Sequence, residues 1–223
     1  MLRLAIYDMD KTITRRATWT PFLIHAARSV APWRLLLLPA AVLATVGYAL
    51  RLVSRAGLKE ATQRLMLGRA VSPERLRRIA ASFADSVAET GTFHGARARI
   101  AADRREGYRI VLATASYGFY AAEIAARLDI VDVIATRWQT DSKGHILSRI
   151  EGENCYGPVK LRMIENWLKS EGIARESAHV RFYSDHVSDA PALAWADEAY
   201  AVNAHGPLRE LAGEKGWTIL DWD

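Results

Sequence analysis

Residues 4–12 read Leu4-Ala5-Ile6-Tyr7-Asp8-Met9-Asp10-Lys11-Thr12. The first four form a short, unbroken apolar run, which predicts a strand that is buried on both faces of a parallel sheet. Asp8 and Asp10 follow this strand directly. Because open α/β sheets bind their ligands at the carboxyl ends of the strands, the pair predicts a crevice with two carboxylates.

Further along the chain, polar side chains again stand where a predicted strand ends or a predicted helix begins. Arg109–Ala113 and Val180–Ser184 are apolar strands of the same kind, and Pro158 is tolerated in the first turn of a helix. The side chains placed in this way are Thr114 and Ser116 after one strand, Lys160 in the helix, and Asp185 and Asp189 after the other strand.

These groups are the ones that phosphoryl transfer requires. A carboxylate nucleophile divides hydrolysis into two easier steps through an aspartyl-phosphate. Donors and cations stabilise the charge on the phosphoryl oxygens. Mg²⁺ prefers oxygen ligands and keeps several waters, so the carboxylates of Asp8, Asp10 and Asp185 would be sufficient protein ligands.

The order D-x-D-x-T, strand-end Thr, Lys and D-x-x-x-D resembles the haloacid dehalogenase-like phosphatase superfamily. More narrowly, it is similar to the phosphoserine-phosphatase-like branch, subfamily IB, which carries a helical C1 cap after the first motif. The resemblance implies an α/β fold with a Rossmann-like parallel-sheet core and a small all-helical cap. It places the catalytic core in residues 1–14 and 93–223 and the cap domain in residues 15–92.

The resemblance also implies a catalytic role for four residues. Asp8 would be the nucleophile, and Asp10 would be the general acid for the leaving group and then the base that activates water. Thr114 would donate a hydrogen bond to a phosphoryl oxygen, and Lys160 would neutralise charge there.

The same resemblance implies a magnesium site. Asp8, Asp185 and the main-chain carbonyl of Asp10 would bind the ion. One residue departs from the family pattern, because Lys11 stands where many relatives have a glycine. The remaining expected contacts are Thr12, which would fix its loop by hydrogen bonding, Asp189, which would orient Lys160 or a metal-bound water, and Ser116, a candidate substrate contact.

Two other function classes use similar residues. Receiver domains of response regulators also surround a phosphorylated aspartate with acids, a hydroxyl and a lysine, but their paired acids are adjacent and their chains are shorter. A phosphotransferase would pass the phosphate to another hydroxyl group after the same covalent step.

The composition is typical of a compact enzyme. The chain has 223 residues, a net charge of +5 and one cysteine, Cys155. A single cysteine excludes an internal disulfide and indicates a reducing, cytoplasmic compartment. The net charge suits an anionic substrate or surface, whereas no aromatic-basic module predicts nucleic-acid binding.

Within residues 15–92, proline-containing start signals predict two helices. Thr20-Pro21 opens a helix over Phe22–Val30, and Ser72-Pro73 opens a second one with an apolar stripe. Outside this segment, turn residues 141–144 predict a β-hairpin between residues 131–135 and 145–147.

Leu35–Leu50 contains no charged residue over 16 positions and is bounded by Arg34 and Arg51. A full membrane span needs about 20 apolar residues, and this run contains a proline and a glycine. It could pack on itself, on the core or on a second subunit in a homodimer. Alternatively, it could be an interfacial hairpin, with Trp33, Arg34, Tyr48, Arg51 and Arg55 at the level of the lipid headgroups.

These alternatives lead to two substrate hypotheses. A small soluble phosphorylated metabolite in the cytoplasm is the first. The second is a lipid phosphate at the inner membrane face, by resemblance to the phosphatidylglycerophosphate phosphatases of the same branch, whose cap is similarly apolar.

Overall fold

The computed structural model describes all 223 residues as a mixed α/β fold built around one sheet. The strands are β1 Leu2–Tyr7, β2 Ala70–Val71, β3 Arg109–Tyr117, β4 Asp132–Thr140, β5 Ile146–Glu151, β6 Ala178–Ser184, β7 Glu198–Val202 and β8 Thr218–Leu220. Their order in the sheet is β2-β5-β4-β3-β1-β6-β7-β8.

Nine α-helices flank this sheet. They are α1 Trp19–Val30, α2 Leu38–Ala49, α3 Arg55–Leu67, α4 Pro73–Thr90, α5 His94–Arg105, α6 Gly118–Ala126, α7 Pro158–Ser170, α8 Ala190–Trp195 and α9 Gly206–Lys215. Short 3-10 helices cover Pro32–Leu37, Arg175–Ser177 and Val187–Asp189.

The central strand β1 pairs in parallel with β3 on one side and β6 on the other. Leu4 and Ile6 face the apolar cluster that includes α7, α8 and α9, while Ala5 and Tyr7 face the opposite cluster. All four side chains are fully buried, as the unbroken apolar pattern predicts. The sequence therefore places the carboxyl end of β1 at the middle of the molecule.

Three tyrosines stack side by side across the sheet. Tyr7 of β1, Tyr183 of β6 and Tyr200 of β7 are register partners, and their ring centroids are 4.2 and 4.5 Å apart. The Tyr7 hydroxyl donates to the buried carboxylate of Asp103 at 2.5 Å. This row connects the strands immediately before Asp8 and Asp185.

Between β1 and α5 the chain leaves the sheet and forms α1 to α4. Its two ends meet, because Thr14 and Thr92 form an antiparallel bridge and the Phe93 amide donates to the Ile13 carbonyl at 3.0 Å. The expectation of an entirely helical insertion needs one correction. Two of its residues form β2, which pairs antiparallel with β5 and adds an edge strand to the sheet.

The predicted hairpin and the second predicted helix start are confirmed, since β4 pairs antiparallel with β5 and α4 begins at Pro73. The Thr20 start is wrong, because α1 begins at Trp19 and the hydroxyl of Thr18, just before it, bonds outside the helix. The β3 strand also continues beyond its predicted end at Thr114 to Tyr117, through a register shift against β4.

The apolar run is continuous helix. Pro39 lies in the first turn of α2, where proline is tolerated, and so does not interrupt the run. The 18 residues Pro32–Ala49 have a mean hydropathy of 1.3, and none of them is buried. This run meets the length and composition criterion for a membrane span, which the core helices and signal sequences of other proteins also meet. Packing inside the chain therefore leaves much of this apolar surface open.

Candidate active site

Asp8 lies where β1 ends. Its amide donates to the Tyr183 carbonyl at 2.9 Å, which continues the pairing with β6 up to this residue. The side chain is buried, and its Oδ1 accepts a hydrogen bond from Lys160 Nζ at 2.7 Å. Burial raises the pKa of Asp8 to about 7, although the Lys160 ammonium acts in the opposite direction. The carboxylate is therefore held by a single protein cation.

Lys160 lies in the first turn of α7, as its sequence position predicts. Its ammonium donates to Asp8 and also to Asp189 Oδ2 at 2.6 Å, and Ser184 donates to the same Asp189 oxygen at 2.8 Å. Burial disfavours the charged lysine, but the two carboxylates outweigh it, and the pKa of Lys160 is raised. The lysine is therefore a permanent positive charge between two acids.

Asp10 forms no ion pair with Lys160 and is held by hydroxyl groups and an amide. Its Oδ1 accepts from the Thr18 amide at 2.8 Å and the Thr18 hydroxyl at 2.7 Å. Its Oδ2 accepts from Ser116 Oγ at 3.1 Å, and Ser116 in turn accepts from the Tyr120 hydroxyl at 2.6 Å. Neutral donors orient this carboxylate without an ion pair, which suits a group that must gain and lose a proton.

Sequence reasoning did not identify Thr18 or Tyr120. Thr18 lies just before α1, where a hydroxyl ordinarily caps its own helix, and nothing in the local pattern directs it to Asp10 instead. Tyr120 reads as one of the buried aromatics of α6. Only their contacts in the folded protein, Thr18 with Asp10 and Tyr120 with Ser116, show that these two residues belong to the site.

Asp185 follows β6 and is tied to the first motif by its main chain. Its amide donates to Thr12 Oγ1 at 3.0 Å, so the structure places Thr12 as the link between the two loops. Burial raises the pKa of Asp185 to about 6, against the effects of Lys11 and Lys160. Its carboxylate accepts no hydrogen bond from another residue and forms no ion pair, so its oxygens are free to bind a ligand.

Three oxygen groups of this site suit a magnesium ion. Asp8 Oδ2 and the Asp185 carboxylate have no protein donor, and the buried Asp189 Oδ1 has no partner either. No three histidine, cysteine, aspartate or glutamate side chains converge on one point, but Mg²⁺ needs only one or two carboxylates because it keeps its waters. The Asp10 side chain is already occupied by its three donors, so this residue could contribute only its main-chain carbonyl.

Thr114 and Ser116 lie in the irregular end of β3. The register against β4 shifts between Thr114 and Tyr117, so Ala115 and Ser116 have no register partners in β4 and form a bulge. Thr114 Oγ1 accepts from the Ser116 amide at 3.1 Å and is buried at the edge of the crevice. Ser116 contacts Asp10 rather than the cavity, so the structure places it behind the site.

A cavity of about 280 Å³ lies in front of these groups. Six of the predicted site residues line it, whereas Thr12 and Ser116 lie behind its wall. The lining residues are Asp8, Asp10, Thr114, Lys160, Asp185 and Asp189, together with Lys11, Ala17, Arg55, Ala115, Tyr156, His186 and Ser188. The chemical groups of the four motifs thus share one crevice.

Arg55 and Lys11 add positive charge to this cavity. Arg55 comes from the first turn of α3, and its guanidinium lies 3.9 Å from the centre of the Tyr156 ring. Arg55, which the interfacial alternative would place at the level of the lipid headgroups, thus lines the cavity. Lys11 adopts a φ of 62°, the left-handed conformation that a glycine would adopt without strain.

Comparison with known proteins identifies the family. The profile of the haloacid dehalogenase-like hydrolases matches residues 5–194, which include all four motifs. The chain belongs to this family. The resemblance seen in the sequence is confirmed, and the alternative of a receiver domain is wrong.

Individual haloacid dehalogenase-like relatives match shorter parts of the chain. A histidinol-phosphatase of Neisseria meningitidis is 32% identical over 94 residues, which are 42% of each chain. Phosphoserine phosphatase SerB1 of Mycobacterium tuberculosis is 32% identical over 116 residues, 52% of this chain and 37% of that one. The chain thus spans about two fifths of the length of the curated relatives it matches.

A solved structure extends the likeness of fold to the whole chain. A protein of unknown function from Bordetella pertussis superimposes with a TM-score of 0.88, covering 99% of both chains at 24% identity. The arrangement of sheet and inserted helices is therefore shared by another protein.

Proposed function

We propose that the chain is a Mg²⁺-dependent phosphatase that hydrolyses a phosphomonoester through an aspartyl-phosphate on Asp8. The observation that supports this most directly is the pairing of a buried carboxylate with a buried lysine at the end of the central strand, opposite a separately oriented Asp10. Relatives named as phosphatases support the same reaction class. Residues 15–92 would act as the cap of a core formed by residues 1–14 and 93–223, since the two ends of this segment meet at Thr14 and Thr92.

The reaction would begin when an Asp8 carboxylate oxygen attacks phosphorus and the bond to the leaving oxygen breaks. Asp10 would donate its proton to that oxygen, and the alcohol would leave. Asp10 would then take a proton from a water molecule, whose oxygen attacks the aspartyl-phosphate and releases inorganic phosphate. Lys160 and the Thr114 hydroxyl would bind phosphoryl oxygens throughout.

Asp8, Asp185 and the Asp10 carbonyl would hold Mg²⁺, which supplies charge neutralisation to the phosphoryl oxygens. The carboxylates themselves indicate the need for such a cation. Burial raises the pKa values of Asp8 and Asp185 to about 7 and about 6, so both are short of compensating positive charge at neutral pH.

The cavity favours a small soluble substrate. Its volume is about 280 Å³, and all but three of its 13 lining residues are polar or charged. After the phosphoryl group is placed against Lys160, the cations of Arg55 and Lys11 remain for a second polar or anionic group. A metabolite of this kind is the first candidate substrate.

The direct test is Mg²⁺-dependent phosphate release from a panel of soluble phosphomonoesters by the wild type and Asp8→Asn. Turnover should stop with EDTA, return with Mg²⁺, and be absent in the variant, whereas Asp197→Asn at a surface ion pair should retain it. Turnover by Asp8→Asn, or turnover without any divalent ion, would contradict the mechanism. Transfer of the phosphate to an added alcohol in place of release to water would identify a phosphotransferase.

A lipid phosphate at a membrane surface is the second candidate substrate, because the structure leaves the apolar run uncovered. In the run and the two residues after it, the most exposed large side chains are Leu36, Leu43, Leu50 and Leu52, between 64% and 80% exposed. From Lys11 to Lys59 the chain carries eight lysines and arginines and no acidic residue. An exposed apolar surface with only basic neighbours is complementary to an anionic bilayer.

The position of this surface relative to the cavity also supports the lipid hypothesis. The run is followed by α3, whose first residue, Arg55, lines the cavity. Arg34 is not available to headgroups, since it stacks on Trp33 and donates to the Leu65 carbonyl at 2.8 Å. A lipid could thus lie along α2 with its phosphate near Arg55.

Sedimentation with vesicles tests this second candidate. Wild type should bind vesicles of 30% anionic lipid, and Leu43→Asp should lose this binding without loss of soluble-ester turnover. Val131→Asp is the matched control, because Val131 is also exposed but lies outside the run. Equal binding by both variants would contradict a membrane role, and a concentration-dependent dimer that Leu43→Asp breaks would assign the run to a homodimer.

A further inference from the structure

Lys59 is a buried lysine that the proposed mechanism does not use. It lies on α3, one turn after Arg55, and is 8% exposed. Its ammonium donates to the Ala115 carbonyl and to Asn154 Oδ1, the latter at 2.8 Å, and lies 4.7 Å from the centre of the Tyr117 ring. No carboxylate is within ion-pair distance, which is unusual because buried lysines are rare unless they are paired.

The neighbours of this lysine converge on one carbonyl oxygen. The Thr136 hydroxyl, on β4, is fully buried and lies 2.8 Å from the Ala115 carbonyl and 3.0 Å from Asn154 Oδ1. It also accepts a hydrogen bond from the Cys155 amide at 3.1 Å. A helix of the insertion, a strand of the sheet and the loop before α7 are therefore joined at Ala115.

Ala115 lies between two groups of the candidate site. Thr114 lines the cavity on one side of it, and Ser116 donates to Asp10 on the other. Ser116 belongs to the bulge that interrupts the β3–β4 register, and Thr114 is the last paired residue before it. Because a bulge departs from regular pairing, its conformation depends on side-chain contacts, and a small rotation at Ala115 would move both hydroxyl groups.

We propose that Lys59 is a positioning residue that, by holding the Ala115 carbonyl, fixes the bulge which presents Thr114 to the phosphoryl group and Ser116 to Asp10. The inference rests on the proposed phosphatase function and adds a role for the insertion. Residues of α3 complete the phosphate site from behind, so the insertion does more than select what enters the cavity. A change in the seating of α3 would alter phosphate affinity even for inorganic phosphate, which has no part that reaches the other helices.

The test uses inorganic phosphate with Mg²⁺ as the probe, measured by calorimetry, together with kcat and KM for a soluble ester. Lys59→Met removes the donor and keeps the length of the side chain. It should weaken phosphate binding about 10- to 100-fold, the range for the loss of a hydrogen bond from a charged group. Lys143→Met, at an exposed loop, should bind phosphate as the wild type does.

A second variant separates action through Ala115 from a direct electrostatic effect on phosphate. Thr136→Val removes the other donor near the same carbonyl and should weaken phosphate binding about 3- to 10-fold, whereas Thr136→Ser should restore it. If both donors act through one carbonyl, the double variant should lose less affinity than the product of the single losses.

Several outcomes would overturn the inference. If Lys59→Met bound phosphate with the same dissociation constant as the wild type and only its melting temperature fell, the lysine would be merely structural. If the losses in phosphate-binding free energy of Lys59→Met and Thr136→Val were fully additive, or if Thr136→Val bound phosphate normally, Lys59 would act on phosphate by a direct charge effect instead. Absence of both phosphate binding and turnover in the wild type would overturn the proposed function, and this inference with it.

Discussion

Replacing Lys160 with methionine should destabilise the protein by an amount that can be worked from the site. Lys160 is the only cation within ion-pair distance of Asp8 and Asp189, and these carboxylate side chains are 10% and 3% exposed. Removing one partner of a buried ion pair costs about 3–5 kcal/mol. At about 2–4 °C per kcal/mol for a chain of this size, the melting temperature should fall by about 6–20 °C.

The loss should also depend on pH in a defined direction. Without the lysine, the pKa of Asp8 in the folded state, already raised to about 7 by burial, rises further above the unfolded value of about 3.9. The folded state then binds more protons than the unfolded state, so stability falls as pH rises through this window. The deficit of the variant should therefore be largest near pH 8 and shrink towards pH 5.

Thermal unfolding followed by circular dichroism in EDTA, at intervals from pH 5 to 8, measures both effects. Lys169→Met is the matched control, because Lys169 lies on the same helix and is exposed. An unchanged melting temperature in Lys160→Met would refute the assignment of a buried charge cluster. A deficit that stays constant with pH would refute the claim that the uncompensated Asp8 carboxylate is its cause.

Three further predictions concern the same site. Asp10→Asn should slow both formation and hydrolysis of the phosphoenzyme about 10²- to 10⁴-fold in rapid-quench experiments, and an unchanged rate would exclude Asp10 from proton transfer. Mg²⁺ should raise the melting temperature more at pH 8 than at pH 5. The pKa values of Asp8 (about 7) and Asp185 (about 6) are raised, so uncompensated carboxylate charge destabilises the metal-free protein only at the higher pH. Equal increments at the two pH values would argue against these ligands. Tyr120→Phe removes the donor to Ser116 and should lower kcat about 3- to 10-fold with little change in KM, and a wild-type kcat would show that Ser116 orients Asp10 without it.

The sequence was sufficient to predict the core strands and the grouping of the motifs. Short apolar runs such as 4–7 and 180–184 are typical of strands buried in a parallel sheet, and polar residues that end such strands meet at one edge. Asp8 and Asp185 followed from this rule, and Lys160 followed from the helix start at Pro158. Their placement in one crevice did not depend on any detail of side-chain packing.

Other features could not be read from the sequence because they depend on contacts between distant segments. Thr18 contacts the Asp10 carboxylate directly and Tyr120 acts on it through Ser116, although the two residues are 102 positions apart. Arg55 entered the sequence analysis only as a flanking residue of the possible interfacial hairpin, because its direction is set by the packing of α3 against β5 and the loop before α7. The two-residue strand β2 is too short to show the alternation of apolar and polar residues that identifies a strand in a sequence.

The stacked tyrosines of β1, β6 and β7 determine the order in which parts of the molecule unfold. Tyr7 lies one residue before Asp8 and Tyr183 two residues before Asp185, and the planes of their rings are almost parallel, 5° apart. Sliding one strand past the other would break this stack and turn every side chain to the opposite face. Amide protons of these strands should therefore exchange with solvent only by global unfolding, whereas those of α2, with no buried residue, exchange through local opening. Proteases would cut the exposed helix first and leave the two catalytic loops in place.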